Sequence, residues 1–109
     1  MPLPSPERLA FMLAGVLEEG DFPLWEFVWH LNRLAPAAPL ADKVRVARRA
    51  LPSFLDEYDL WRGEWTEGPV APLTEAETRL MATDDACWHD PEAASLLVWL
   101  RAVGSDSDC

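Results

Sequence analysis

SLLVWLRAV, residues 95–103, decides the fold of this 109-residue chain. Taken by alternation, Leu96, Val98 and Leu100 fall on one face of a strand. Taken at helical spacing, Ala93, Leu96, Leu97 and Leu100 share a face, with Asp90-Pro91-Glu92 as a helix start and Gly104 as a stop. The strand makes the chain an α+β domain, and the helix makes it an all-α bundle of four to five helices. Local signals alone favour the helix, so the decision falls to the rest of the sequence.

Three helices come first. Ser5-Pro6-Glu7 combines an N-cap, a proline at the first helical position and an acid; Leu9, Met12, Leu13, Val16 and Leu17 follow at helical spacing, and Gly20 stops the run. Phe11 lies off that stripe, which leaves the first helix to be covered on two sides. Asp21-Phe22-Pro23 opens a second helix, with Leu24, Phe27, Val28, Leu31 and Leu34 inward and Trp25 and Trp29 as a separate aromatic stripe. APAAP (35–39) breaks the chain. The third helix starts near Leu40, and its apolar stripe (Val44, Ala47, Leu51, Phe54, Leu55, Tyr58) runs through Pro52, which removes a donor and predicts a kinked or interrupted helix.

After Tyr58 the pattern changes. DLWRGEWTEGPVAPL (59–73) reads as a strand leading into a long turn. Thr74 with Glu77 is a capping-box pair for a short helix from Glu75 to about Ala82. GSDSDC (104–109) reads as a frayed polar tail. The whole length fits one domain.

Three helices, then LWRGEW and SLLVWLR as paired wing strands with a short inserted helix, resemble a winged-helix domain. The run Leu60, Trp61, Arg62, Gly63, Glu64, Trp65 is also similar to small bacterial proteins in which a "YRGxW"-like strand follows the third helix. The resemblance tips residues 95–103 towards strand and gives a mainly α, α+β fold, a three-helix winged-helix-like domain with a two-stranded wing. It implies a helix-turn-helix reading of DNA by the third helix through Lys43, Arg45, Arg48 and Arg49. The chain departs from that pattern in its wing, GEWTEGPVAPL, which carries Glu64 and Glu67 and no Lys or Arg.

Charge points the same way. The formal net charge is -10, with -3 over residues 1–38, +3 over 39–51 and -10 over 52–109. Such a field repels nucleic acid and anionic membrane and attracts a basic partner. Half the residues are apolar and six are Trp, enough for a core, which excludes a disordered chain. No apolar run is long enough to span a membrane, and the N-terminus lacks a cationic start, so neither a membrane partner nor a signal peptide is expected. Two cysteines, one of them terminal, suit a reducing cytosol, and Ala, Leu, Arg and Pro with a single Lys suggest a bacterial source.

Catalytic and metal chemistry find no pattern. Cys87 and His89 lie two apart, the other soft ligands are His30 and Cys109, and no CxxC or HxxxH spacing occurs. His30 falls on the outer side of the second helix, solvated. No nucleophile motif or phosphate loop is present, and Glu18-Glu19, Asp56-Glu57 and Asp84-Asp85 read as solubilising surface. The expectation is a cytoplasmic, non-enzymatic protein-binding module without cofactor or metal. Its partner is a basic protein, as for an immunity protein or antitoxin that neutralises a nuclease. Its contact candidates are Trp25, Trp29, Trp61, Glu64, Trp65 and Glu67. The alternative is a DNA-binding regulator, dimeric through Trp25 and Trp29.

Overall fold

Residues Val98–Ala102 are a strand, and it runs through the middle of the sheet. The computed structural model describes residues 2–18 and 20–103; the tail expected at 104–109 lies outside them. In chain order the elements are α1 (Pro6–Leu17), β1 (Phe22–Pro23), α2 (Glu26–Leu34), α3 (Leu40–Ala50), a 3₁₀ turn (Leu51–Phe54), β2 (Tyr58–Glu64), β3 (Gly68–Pro72), α4 (Glu75–Thr83), a second 3₁₀ turn (Asp85–Trp88) and β4 (Val98–Ala102). The described residues thus form a small α+β domain with four α-helices and a four-stranded antiparallel sheet of order β1-β4-β2-β3. Its radius of gyration, 13.4 Å, is that of a compact chain of this length.

The helix-start signals at Asp90 are real but end after one turn. The Asp90 carboxylate accepts from the backbone N–H groups of Glu92 and Ala93, and the chain then extends. β4 pairs with β1 on one side and β2 on the other, so its backbone groups find partners that a helix there would forgo. Alternation does the rest. Val98 and Leu100 are fully buried against the helices, while Trp99 and Arg101 take the other face. An all-α bundle is therefore excluded.

LWRGEW and SLLVWLR do pair, with Trp61 opposite Trp99. They are not the two arms of one hairpin. The arm that returns from β2 is β3, on the outside, and α4 intervenes before β4 enters between β2 and β1. The expected two-stranded wing is thus half of a four-stranded sheet. Two strands escaped the reading of the sequence because their prolines read as something else, a long turn at β3 and a helix start at β1. Pro69 and Pro72 sit in β3, an edge strand, where a missing donor is tolerated. Pro23 sits in β1, which replaces the expected first turn of the second helix; Leu24 then donates to the Val98 carbonyl and α2 starts only at Glu26.

The remaining helices follow their signals. The Ser5 hydroxyl accepts from the Arg8 N–H with Pro6 in the first turn. Thr74 and Glu77 form the reciprocal capping box. α3 stops at Ala50, and Pro52 sits at the start of the 3₁₀ turn, where its lack of a backbone N–H is tolerated. Val44, Ala47, Leu51 and Phe54 stay buried across that break, whereas Leu40 and Leu55 are exposed ends. Phe27 is the hub of the core: its ring meets Phe22, Phe54 and Trp88 edge-on at 5.7, 5.8 and 6.5 Å. Leu9, Leu13 and Leu17 of α1 close this core from above. Phe11, the residue that would have needed a second cover, is 76% exposed.

Candidate functional site

The opposite face of the sheet carries a second apolar cluster. Pro23 and Trp99 are register partners on that face, and the alternation that buries Leu24 in the core turns Trp25 outward. Trp25 is only 3% exposed yet stands outside the main core cluster. Its cover is aromatic: Trp65 stacks on it at 5.4 Å and 15°, Trp99 meets it edge-on at 5.4 Å, and Trp29 meets it edge-on at 6.5 Å.

Gly63 makes this layer geometrically workable. The register of β2 and β3 shifts at Arg62/Gly63, and a Cβ on Gly63 would lie 2.2 Å from the Gly68 carbonyl oxygen and 2.6 Å from the Trp99 indole. Only a residue without a side chain lets Trp99 lie against the strand there. Glu64 pairs with Gly68, leaving a three-residue loop, Trp65-Thr66-Glu67, and Gly68 takes the positive φ of 76° that such a loop needs at its end. The loop presents Trp65, 55% exposed, between Glu64 and Glu67, both exposed.

The result is a ledge of three tryptophans. Trp25 is its buried base, and Trp65 and Trp29 (37% exposed) are its two outer members. The Trp29 indole N–H donates to the His89 carbonyl at 3.0 Å, which fixes that end. A shallow cavity of about 320 Å³ adjoins it, lined by Glu26, Trp29, Asn32 and Arg33. Among the described residues, Glu26, Glu64 and Glu67 have no ion-pair partner. Trp25, Trp29, Trp65, Glu64 and Glu67 are therefore brought together. Trp61 is not part of the ledge. It lies further along the same sheet face with the Arg101 guanidinium 4.8 Å from its ring centre, a cation–π contact that covers it. Trp99, absent from the expected contact set, is the missing member of the cluster; its alternation with Val98 and Leu100 was the available signal.

The four basic residues of the third helix do not form one open cationic face. Lys43 is 5% exposed, and its ammonium donates to the Asn32 side-chain oxygen at 2.9 Å and reaches the Pro36 carbonyl at 3.5 Å. It ties α3 to the end of α2, a buried charge held by neutral acceptors. Arg45 is paired to Asp42 at 3.0 Å. Arg48 forms an ion pair with Asp85, without hydrogen-bond alignment, and lies 5.8 Å from the Trp88 ring. Arg49 is exposed and has no ion pair among the described residues.

Asp84-Asp85 is more than solubilising surface. Asp84 accepts from the N–H groups of Ala86 and Ser95 and from the Cys87 thiol, and these bonds, Ser95 first, hold its carboxyl below the usual carboxylate range. The bonds close the 84–95 loop that carries Cys87 and Trp88 into the core. Burial first, then the Asp84 charge, pushes the Cys87 thiol up to about 11, the opposite of an activated nucleophile. His30 is half-buried rather than solvated. Its Nε2 lacks a hydrogen-bond partner, and burial, with Arg33 adding, lowers its pKa. Among the described residues no group of three His, Cys, Asp or Glu side chains could hold a metal ion, and no helix is long and apolar enough to cross a membrane.

Comparison with protein-family models, with curated proteins and with solved structures found no match to this chain.

Proposed function

We propose that this chain is a non-enzymatic module that binds a basic protein through the tryptophan ledge and its flanking carboxylates. The single observation that carries the reading is Trp65: an exposed indole stacked on a buried one and flanked by Glu64 and Glu67 with no ion-pair partner among the described residues. A rigid aromatic with half its surface in water gives an incoming partner apolar area at little entropic cost, and tryptophan is among the residues that most often dominate interface energies. The surrounding negative field steers a cationic surface towards it and makes association salt-dependent. A neutralising role towards a basic enzyme would use the same surface. The DNA-reading alternative draws less support, because Lys43 is buried, Arg45 and Arg48 are paired within the chain, and the hairpin that would touch the backbone is acidic.

The test is capture of partners on the immobilised chain, run beside the Trp65→Ala variant and the Glu64→Lys/Glu67→Lys double variant. Proteins of high isoelectric point are expected on the unaltered chain, released by moderate salt and lost from both variants. Retention of the same set by both variants contradicts the reading. So does binding to random-sequence duplex DNA with a steep salt slope that disappears in Arg45→Glu/Arg49→Glu.

A further inference from the structure

A different concavity lies at the far end of β2, roughly 20 Å from the hairpin at 3.3 Å per strand residue. It sits between α1 and the first 3₁₀ turn, with a volume of about 220 Å³. Ala10, Ala14 and Phe54 give it apolar surface, and Glu18, Ser53, Glu57 and Tyr58 supply its polar groups. The two carboxylates come from different elements, and neither has an ion pair among the described residues. No Lys or Arg lines the groove. Glu18 is the C-cap of α1, whose last turn holds no basic residue, so the carbonyl end of the helix adds negative potential uncompensated. The Tyr58 ring is set by an edge contact with Phe54 at 6.2 Å. Burial first, then the charges of Glu57 and Glu18, raises the Tyr58 hydroxyl pKa, as expected where negative charge meets low solvation.

We infer that this groove receives one arginine side chain from a basic protein partner. The inference rests on the reading of such a partner, and it places a further contact away from the ledge. The match is chemical. An arginine stem covers small apolar residues such as Ala10 and Ala14, its planar fork can donate to two carboxylates, and its face stacks on an aromatic ring. Lysine, a compact point charge, uses neither the fork nor the ring as well. Among the described residues no group of three His, Cys, Asp or Glu side chains that could hold a metal ion is found, here or elsewhere.

The experiment follows the backbone amides of the isotopically labelled full chain by NMR while N-acetyl-arginine amide is added, with the uncharged N-acetyl-citrulline amide as control. Saturable shifts centred on Ala10, Ala14, Glu57 and Tyr58 are expected with the arginine probe only. They should weaken several-fold in Glu18→Gln/Glu57→Gln and vanish in Ala14→Trp, which fills the groove without changing charge. Unaltered urea unfolding of Ala14→Trp shows that it is folded, and the charge variant provides the independent arm. Absent or unsaturable shifts, equal shifts with citrulline, or shifts centred on Glu64–Glu67 would overturn the groove. The last outcome leaves the basic-partner reading intact. Loss of basic-protein capture in Trp65→Ala, with full capture in Ala14→Trp, would also overturn the groove alone.

Discussion

Trp88 and Trp99 show how differently the two faces of one sheet are built. Trp88 lies on the helix side, 2% exposed; its ring meets Phe27 and its indole N–H donates to the Met81 carbonyl at 3.2 Å. Trp99 lies on the other side, packed against Trp25 and Gly63, and its indole nitrogen is buried with no hydrogen-bond partner. An unmet donor of this kind costs about 1–3 kcal/mol. The inner indole is satisfied and closed in. The outer face accepts an unmet donor and leaves Trp65 and Trp29 partly in water, and it is the face on which the proposed partner would dock.

The strongest challenge to that contrast is Phe27→Ala, which removes the hub joining β1, α2 and both 3₁₀ turns. Loss of a buried phenylalanine costs about 3–5 kcal/mol, read as a fall in the urea midpoint with the slope unchanged. Next is Gly63→Ala on the outer face. Its Cβ meets backbone as well as indole, so Trp99 and the hairpin must both shift, at a cost of about 1–3 kcal/mol. Altered tryptophan fluorescence should accompany the lower midpoint.

A paired measurement sharpens the contrast between the two indoles. Trp88→Phe leaves the Met81 carbonyl without its donor, whereas Trp99→Phe removes a donor that had no acceptor. The first should cost more than the second by about 1–3 kcal/mol in chemical unfolding. Equal costs would mean that the outer face is as finished as the inner one.

The smallest expected effect is that of pH through Asp84. Its carboxyl is held below the ordinary range by the Ser95 and Ala86 N–H groups. A depressed folded-state pKa contributes stability that is fully present above the ordinary carboxylate range and is lost as pH falls through the lowered value. The unaltered chain should therefore exceed Asp84→Asn in urea midpoint at neutral pH, with the difference closing only in acid. A difference independent of pH would assign Asp84 a role other than its charge.

The helical half of the fold was legible because its signals are local: Ser5-Pro6, the Thr74/Glu77 box and the α3 stripe across Pro52 each act within a few residues. The sheet was only half legible. Pro23 in β1 read as a helix start and the prolines of β3 as a turn, and nothing local says that Pro69 and Pro72 sit on an edge. β4 has good helix-start chemistry at Asp90, overridden by pairing on both of its sides. The ledge was legible in composition, since Trp25, Trp29 and Trp65 were natural contact candidates. Its arrangement was not, because it depends on the clearance at Gly63 for Trp99. Lys43 shows the reverse error: a cation on an amphipathic helix reads as solvent-facing, and only the Asn32 and Pro36 acceptors, from the preceding helix and loop, hold it inside.

The central claim is that the outer tryptophans serve a partner more than the fold, and Trp65→Ala tests it in one preparation. Its stacking on Trp25 is worth about 0.5–1.5 kcal/mol beyond area burial, so the urea midpoint should fall only slightly. Capture of basic proteins should drop by at least about tenfold, the equivalent of 1.4 kcal/mol at the interface. Unfolding of the variant, or full capture by a folded one, would contradict the account.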